Sequence, residues 1–301
     1  VVPVSKCYIE NLKADEIINT VAKLAESFKV KIYNEDTGYG LLRYAMVRIG
    51  KTTGQIMLVL VTSEPMFPSK NNFVKAIRNI HPEITTIIQN INDRTDSMIL
   101  VKRDEVLFGK GYIEDSLCGM TFRISAHSFY QVNPVQTELL YKCAVDAAGL
   151  TGKESILDGY CGTGTIGLIA AGSAAEVIGV EIERSAVRDA IMNAKINNIR
   201  NIQFYNNDAG IFIDQLASQD KIPDVVIMDP PRSGSSEAFI NVLRRTLPRK
   251  IVYVSCNPIT LARDLERLTK GHLYTVKKIQ PFDCFPFTEH VETVVMMERH
   301  K

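Results

Sequence analysis

Asp158-Gly159-Tyr160-Cys161-Gly162-Thr163-Gly164-Thr165 closes an apolar run read as a strand over 155–160 and leads directly into a helix expected at 166–171. Gly162 and Gly164 let the backbone pass close to a ligand at a helix N-terminus, where open α/β sheets bind nucleotides. Outward from this loop the same texture repeats. Strands are predicted at 177–182, 202–206, 225–228 and 251–255, and helices at 134–148, 184–197, 211–218, 236–246 and 260–269. That alternation specifies a parallel sheet covered on both faces. The last two strands, 274–279 and 291–298, are joined by a loop too short for a crossover helix, so they should pair antiparallel.

Upstream, residues 1–120 read as a smaller α/β unit without a reactive constellation. A helix is expected at 14–25, a hairpin at 41–49 and 55–62, and a second helix at 71–79. Strand-like runs follow at 85–90, 97–101 and 111–113. The fold class is therefore α/β: a catalytic domain over 121–301, preceded by a smaller α/β domain over 1–120. A doubly wound sheet with an antiparallel finish is the Rossmann-like architecture of class I S-adenosylmethionine-dependent methyltransferases.

The whole-chain composition limits the alternatives. The 301 residues are 46% hydrophobic, enough for a substantial core. No apolar run reaches transmembrane length and the opening stretch lacks the regions of a signal peptide, so the expectation is a cytoplasmic protein without a membrane partner. Six cysteines form no CxxC pair, and no His cluster has zinc-ligand spacing; neither a disulfide framework nor a metal is expected. The formal charge of +1 leaves nucleic-acid binding to local Lys/Arg patches. The chain opens on Val1 rather than Met, so a preceding module stays open.

Each predicted parallel strand ends on chemistry-bearing residues. Glu181 closes the second, placed to accept bonds from ribose hydroxyls. Gly167 falls inside the helix rather than in a phosphate-cradling loop, which favours a ligand without pyrophosphate: S-adenosylmethionine rather than NAD. Asp208 follows the third strand and can meet the adenine amino group, cap the next helix, or both. The fourth strand ends in Asp229-Pro230-Pro231-Arg232, a rigid turn over the crevice; Arg232 stands where amino-group methyltransferases carry an aromatic, and suits RNA phosphate or base carbonyls. The fifth ends in Ser255-Cys256-Asn257-Pro258, which exposes Cys256 beside a helix start expected to favour its thiolate. Glu292 points opposite to Val291 on the final strand, with Glu289 and His290 as competitors for acid/base work.

Together with Ser128-Phe129-Tyr130-Gln131-Val132-Asn133-Pro134 and the stretch 285–292, these motifs closely resemble the RNA 5-methyluridine (uracil-C5) methyltransferases of 23S ribosomal RNA and tRNA. The resemblance implies that Cys256 is the nucleophile and Glu292 the base that removes the C5 proton. It implies S-adenosylmethionine contacts from Gln131, Tyr160, Glu181 and Asp229, with Thr165 and Asp208 as further candidates, and has Asp229 also orienting the uracil. RNA is the implied partner, ribosomal RNA ahead of tRNA, with 1–120 as an RNA-binding central domain and no oligomer required. Family members usually carry an N-terminal TRAM module, and many hold an iron-sulfur cluster on four cysteines. Neither is read in this sequence, so a truncated or cluster-free member is expected. A cytosine-C5 enzyme would place its Cys where Pro231 and Arg232 stand, and a non-catalytic RNA-binding module would not need Cys256, Asp229 and Glu292 together.

Overall fold

The computed structural model describes Cys7 and residues 10–300; residues 1–6, 8 and 9, part of the opening stretch read above for a targeting signal, and residue 301 lie outside the described residues. Two compact units emerge. One runs through Ser116 and takes back Arg123–His127; the other comprises Leu117–Phe122 and everything from Ser128.

The first unit holds α1 (Leu12–Ser27), β1 (Leu42–Ile49), β2 (Ile56–Thr62), α2 (Lys70–Ile80), β3 (Ile84–Ile91) and β4 (Asp104–Phe108), with a sheet ordered β1-β2-β3-β4. β1 and β2 form the expected antiparallel hairpin. Every residue of β2 is buried, as a central strand of continuous apolar sequence requires. The strand expected at 97–101 does not form. Asn92 Nδ2 donates to the Met98 and Ile99 carbonyls at 2.6 and 3.0 Å, and Asn90 exchanges bonds with the Val101 backbone. These side-chain bonds take the place of a ladder. The charged β4 pairs with β3 instead. A hairpin, β5 (Tyr112–Leu117) and β6 (Met120–Ser125), follows, longer than the run expected at 111–113.

The second unit contains α3 (Pro134–Ala148), β7 (Ser155–Gly159), α4 (Thr165–Ala171), β8 (Glu176–Glu181), α5 (Arg184–Ile196) and β9 (Ile202–Asn206). It continues with α6 (Ala209–Ala217), β10 (Val225–Met228), α7 (Glu237–Thr246), β11 (Lys250–Ser255), α8 (Pro258–Thr269), β12 (Tyr274–Phe282) and β13 (Glu292–Arg299). The sheet order is β12-β13-β11-β10-β7-β8-β9. Side chains alternate across β10 and β11. Val225, Ile227, Val252 and Val254 face a core with Leu140, Ala144 and Leu168 of α3 and α4; Val226, Met228, Ile251 and Tyr253 face a second core with Phe212, Phe239 and Leu261 of α6, α7 and α8. Each fully buried aliphatic among them contributes about 1.5–3 kcal/mol. No helix among the described residues is long and apolar enough to cross a membrane.

This topology gathers the motif residues. β9, β8, β7, β10 and β11 are mutually parallel, so their carboxyl ends share one edge, with the order reversing about β7. β13 runs antiparallel to β11, pairing Thr293 with Ser255, so Glu292 begins its strand at the edge where Cys256 leaves its own.

Candidate active site

The loop after β7 is built to stay close to its neighbours. Gly164, the residue before α4, has φ +82°, and a Cβ there would meet the Phe204 ring at 2.7 Å and Ala190 at 3.1 Å. Tyr160 also has positive φ, +65°, and its hydroxyl lies 3.1 Å from Ser235 Oγ. Gly162 N–H donates to Glu181 at 3.0 Å, while Glu183 N–H donates to the other Glu181 oxygen at 2.8 Å. The glycine loop and the acidic end of β8 thus form one braced unit. Asp208 caps α6, accepting from Gly210 and Ile211 N–H at 2.8 and 3.0 Å, so the capping reading of it holds, and it also lines the crevice.

A cavity of about 600 Å³ lies over this edge. Its walls include all eight residues singled out from the sequence: Gln131, Tyr160, Thr165, Glu181, Asp208, Asp229, Cys256 and Glu292. Arg232 and His290 line it as well; Glu289 does not, and is exposed. Glu292 is 2% exposed rather than a surface carboxylate. β13 lies between β11 and β12, so its first residue is covered on both sides.

Sequence reasoning passed over Asp158 and Tyr141. Tyr141 is buried and lines the cavity close to Thr165 and Gln131, two of the predicted cofactor residues. Asp158 accepts from Gly167 N–H at 2.8 Å with one oxygen, while its buried Oδ1 has no protein partner; Glu292 Oε2 is in the same condition. Gly167 makes room for the Asp158 carboxylate, since a Cβ there would stand 2.7 Å from it, a contact that no sequence motif records.

The electrostatics follow from crowding carboxyls away from water. Burial pushes Asp158 up to about 7 from its ordinary 3.8. Asp229 is raised well above the usual range by burial, then by Glu292 and Asp158. Burial also raises Glu292, against the opposing pull of Arg232. The Cys256 thiol is likewise raised, by burial first and then by Glu292 and Asp229, with Arg232 opposing. This corrects the expectation of a favoured thiolate. The helix start beside Cys256 is outweighed by desolvation and two carboxyls, and the Ile259 N–H of its first turn is taken by Asn257 Oδ1 at 3.0 Å.

Asp158 has a measurable consequence for stability. Its folded value exceeds its unfolded one, so its contribution is full below about pH 4 and is lost as pH rises through 7. Asp158→Asn is therefore expected to exceed wild type in stability by a margin that widens from pH 5 to pH 8, on the order of 4 kcal/mol at the upper end. Urea titrations at the two pH values check this; a pH-independent difference would remove Asp158 as the cause.

The family model described as tRNA (Uracil-5-)-methyltransferase matches residues 71–300. An uncharacterized RNA methyltransferase of Listeria innocua is 43% identical over 297 residues, 99% of this chain and 65% of that protein. Another, of Clostridium acetobutylicum, is 44% identical over 299 residues, with the same 99% and 65% coverage. This chain thus spans 65% of the length of these curated relatives. The crystal structure of Pyrococcus abyssi tRNA (uracil-54, C5)-methyltransferase in complex with S-adenosyl-L-homocysteine matches with a TM-score of 0.81 at 29% identity, covering 99% of this chain and 70% of that one. A SAM-dependent methyltransferase from Agrobacterium tumefaciens shares the fold, with a TM-score of 0.54 at 15% identity over 89% of this chain and 93% of that one.

Proposed function

Because the chain belongs to the tRNA (uracil-5-)-methyltransferase family, we propose that it transfers a methyl group from S-adenosylmethionine to C5 of a uridine in RNA. The observation that carries this reading is the meeting of Cys256 and Glu292 on one cavity wall, from neighbouring antiparallel strands, beside Asp229 and the glycine loop.

The cavity suits the cofactor. Its volume is that of a small-molecule site, and Asp158 Oδ1 is a buried acceptor without a partner, suited to a cationic ligand group. Gln131, Tyr160, Thr165, Glu181, Asp208 and Asp229 would hold the cofactor, which supplies an electrophilic methyl group. Glu181, already braced by two backbone N–H groups, keeps lone pairs for ribose hydroxyls.

C5 of uracil is a poor nucleophile until the ring is opened to addition. The Cys256 thiolate would add to C6, and the electron pair displaced towards C5 would take the methyl carbon as its bond to the sulfonium sulfur breaks, that pair staying on sulfur and leaving neutral S-adenosylhomocysteine. Glu292 takes the C5 proton; the C5–H electrons restore the double bond as the C6–S bond breaks, and Cys256 leaves as thiolate. Arg232 faces both groups and offsets the negative charge that gathers around them. The ring must be out of its stack for this, so the uridine is presented in a loop or flipped.

Ribosomal RNA is the expected acceptor, with tRNA the alternative, and the 1–120 unit is read as an RNA-contacting part of a cytoplasmic enzyme. The test is mass spectrometry of nucleosides after total RNA from a strain lacking the gene is incubated with the chain and labelled S-adenosylmethionine. Labelled 5-methyluridine is expected in the ribosomal fraction; label in the tRNA fraction selects the alternative, and label on cytidine or on no base overturns the reading.

A further inference from the structure

We propose that Asp264, outside the cavity on α8, is a positioning residue that holds Tyr160 and Arg232 in register with Cys256; this rests on the methyl-transfer reading above. Asp264 is fully buried, and its carboxylate accepts from Ser235 N–H and the Tyr253 hydroxyl, each at 2.8 Å, and from Arg263 Nε at 2.9 Å. Ser235 belongs to the segment that follows Asp229-Pro230-Pro231, and α8 begins two residues after Cys256. One carboxylate therefore ties the turn leaving β10 to the helix leaving β11.

The tie is continuous along the segment. The Arg232 carbonyl accepts from Asn257 Nδ2 and Thr260 Oγ1, each at 3.1 Å, and the Ser233 carbonyl accepts from Arg263 at 3.0 Å. Gly234 has φ +81°, and a Cβ there would come within 2.7 Å of Asp264 and closer still to Arg263, so segment and helix are in close contact. Beyond Ser235 the chain reaches the cofactor half: Ser235 Oγ lies 3.1 Å from the Tyr160 hydroxyl, which also accepts from Ser236 N–H at 3.3 Å. Arg232, at the other end, lines the half that holds Cys256 and Glu292.

The two halves must be aligned when the methyl carbon meets C5, and a misplacement on the order of 1 Å costs about 10²-fold in rate. An isosteric Asp264→Asn replaces an acceptor-only carboxylate that serves three donors with an amide that cannot accept from all of them. With total RNA from a strain lacking the gene as acceptor, Asp264→Asn is expected to lose about 10- to 100-fold in kcat and to bind S-adenosylhomocysteine more weakly by calorimetry, at a temperature where circular dichroism shows it folded. Tyr253→Phe removes a bond to the same carboxylate on its core side; it should lower the Tm while keeping the wild-type kcat. Thr260→Val, which loosens only the Arg232 end, should lower kcat and leave S-adenosylhomocysteine affinity unchanged, and it carries the test if Asp264→Asn does not fold. A folded Asp264→Asn with wild-type kcat and affinity overturns the inference, as does a Tyr253→Phe that loses as much kcat. If the wild-type chain itself methylates no uridine, the functional reading falls, and the S-adenosylhomocysteine affinities of the same variants then decide the role of Asp264.

Discussion

Cys256→Ala is expected to lower 5-methyluridine formation by at least about 10⁴-fold and to abolish any denaturation-resistant adduct with 5-fluorouridine RNA. Without the sulfur no electron pair can be driven towards C5, and the remaining walls of the cavity can only bind. S-adenosylhomocysteine affinity should stay near wild type, because Cys256 lies at the far end of the sheet edge from Glu181 and Asp208. The raised thiol adds a pH signature. Below its pKa the thiolate fraction grows tenfold per pH unit, so adduct formation should climb between pH 7 and pH 9. Gel analysis of the trapped adduct across pH checks both statements; adduct retained in Cys256→Ala would remove the covalent route.

The parallel sheet was legible because its strands are apolar runs that each stop at a polar residue with a chemical reason to be exposed: Glu181, Asp229, Cys256. Such a pattern needs no knowledge of tertiary contacts. The 97–101 run looked equally strand-like. Its fate was decided by Asn90 and Asn92, whose amides reach back to its carbonyls from a neighbouring strand, a competition that period-2 patterning does not register. β4 escaped notice for the opposite reason: Asp104 and Glu105 make it read as a loop, though its pairing with β3 needs only backbone groups. At the site, the sequence located the cysteine but not its charge state. Proximity to a helix start argued for a thiolate, whereas the approach of Glu292 and Asp229 depends on strand order. The burial of Glu292 likewise depends on strand order, since β13 lies between β11 and β12. The contact between Asp264 and Ser235 spans 29 residues and carries no local motif at either end.

Glu292→Gln should separate the two halves of the reaction. Methyl transfer requires Cys256 and the cofactor but not the base, so the variant is expected to methylate once and then hold its RNA, accumulating a covalent protein–RNA complex that survives denaturation. Multiple turnover should fall by about 10²–10⁴-fold, the usual contribution of a positioned base. Burial raises the carboxylate above its ordinary range, which makes it a stronger base for a carbon-bound proton, and Arg232 opposes that rise. Gln fills the same space without accepting a proton. A folded variant with trapped RNA therefore points to lost chemistry rather than lost structure. The decisive comparison is the double variant Cys256→Ala with Glu292→Gln, which should trap nothing. Free turnover by Glu292→Gln would instead move the base to another side chain, and His290, which lines the cavity while Glu289 does not, is the next one placed to act.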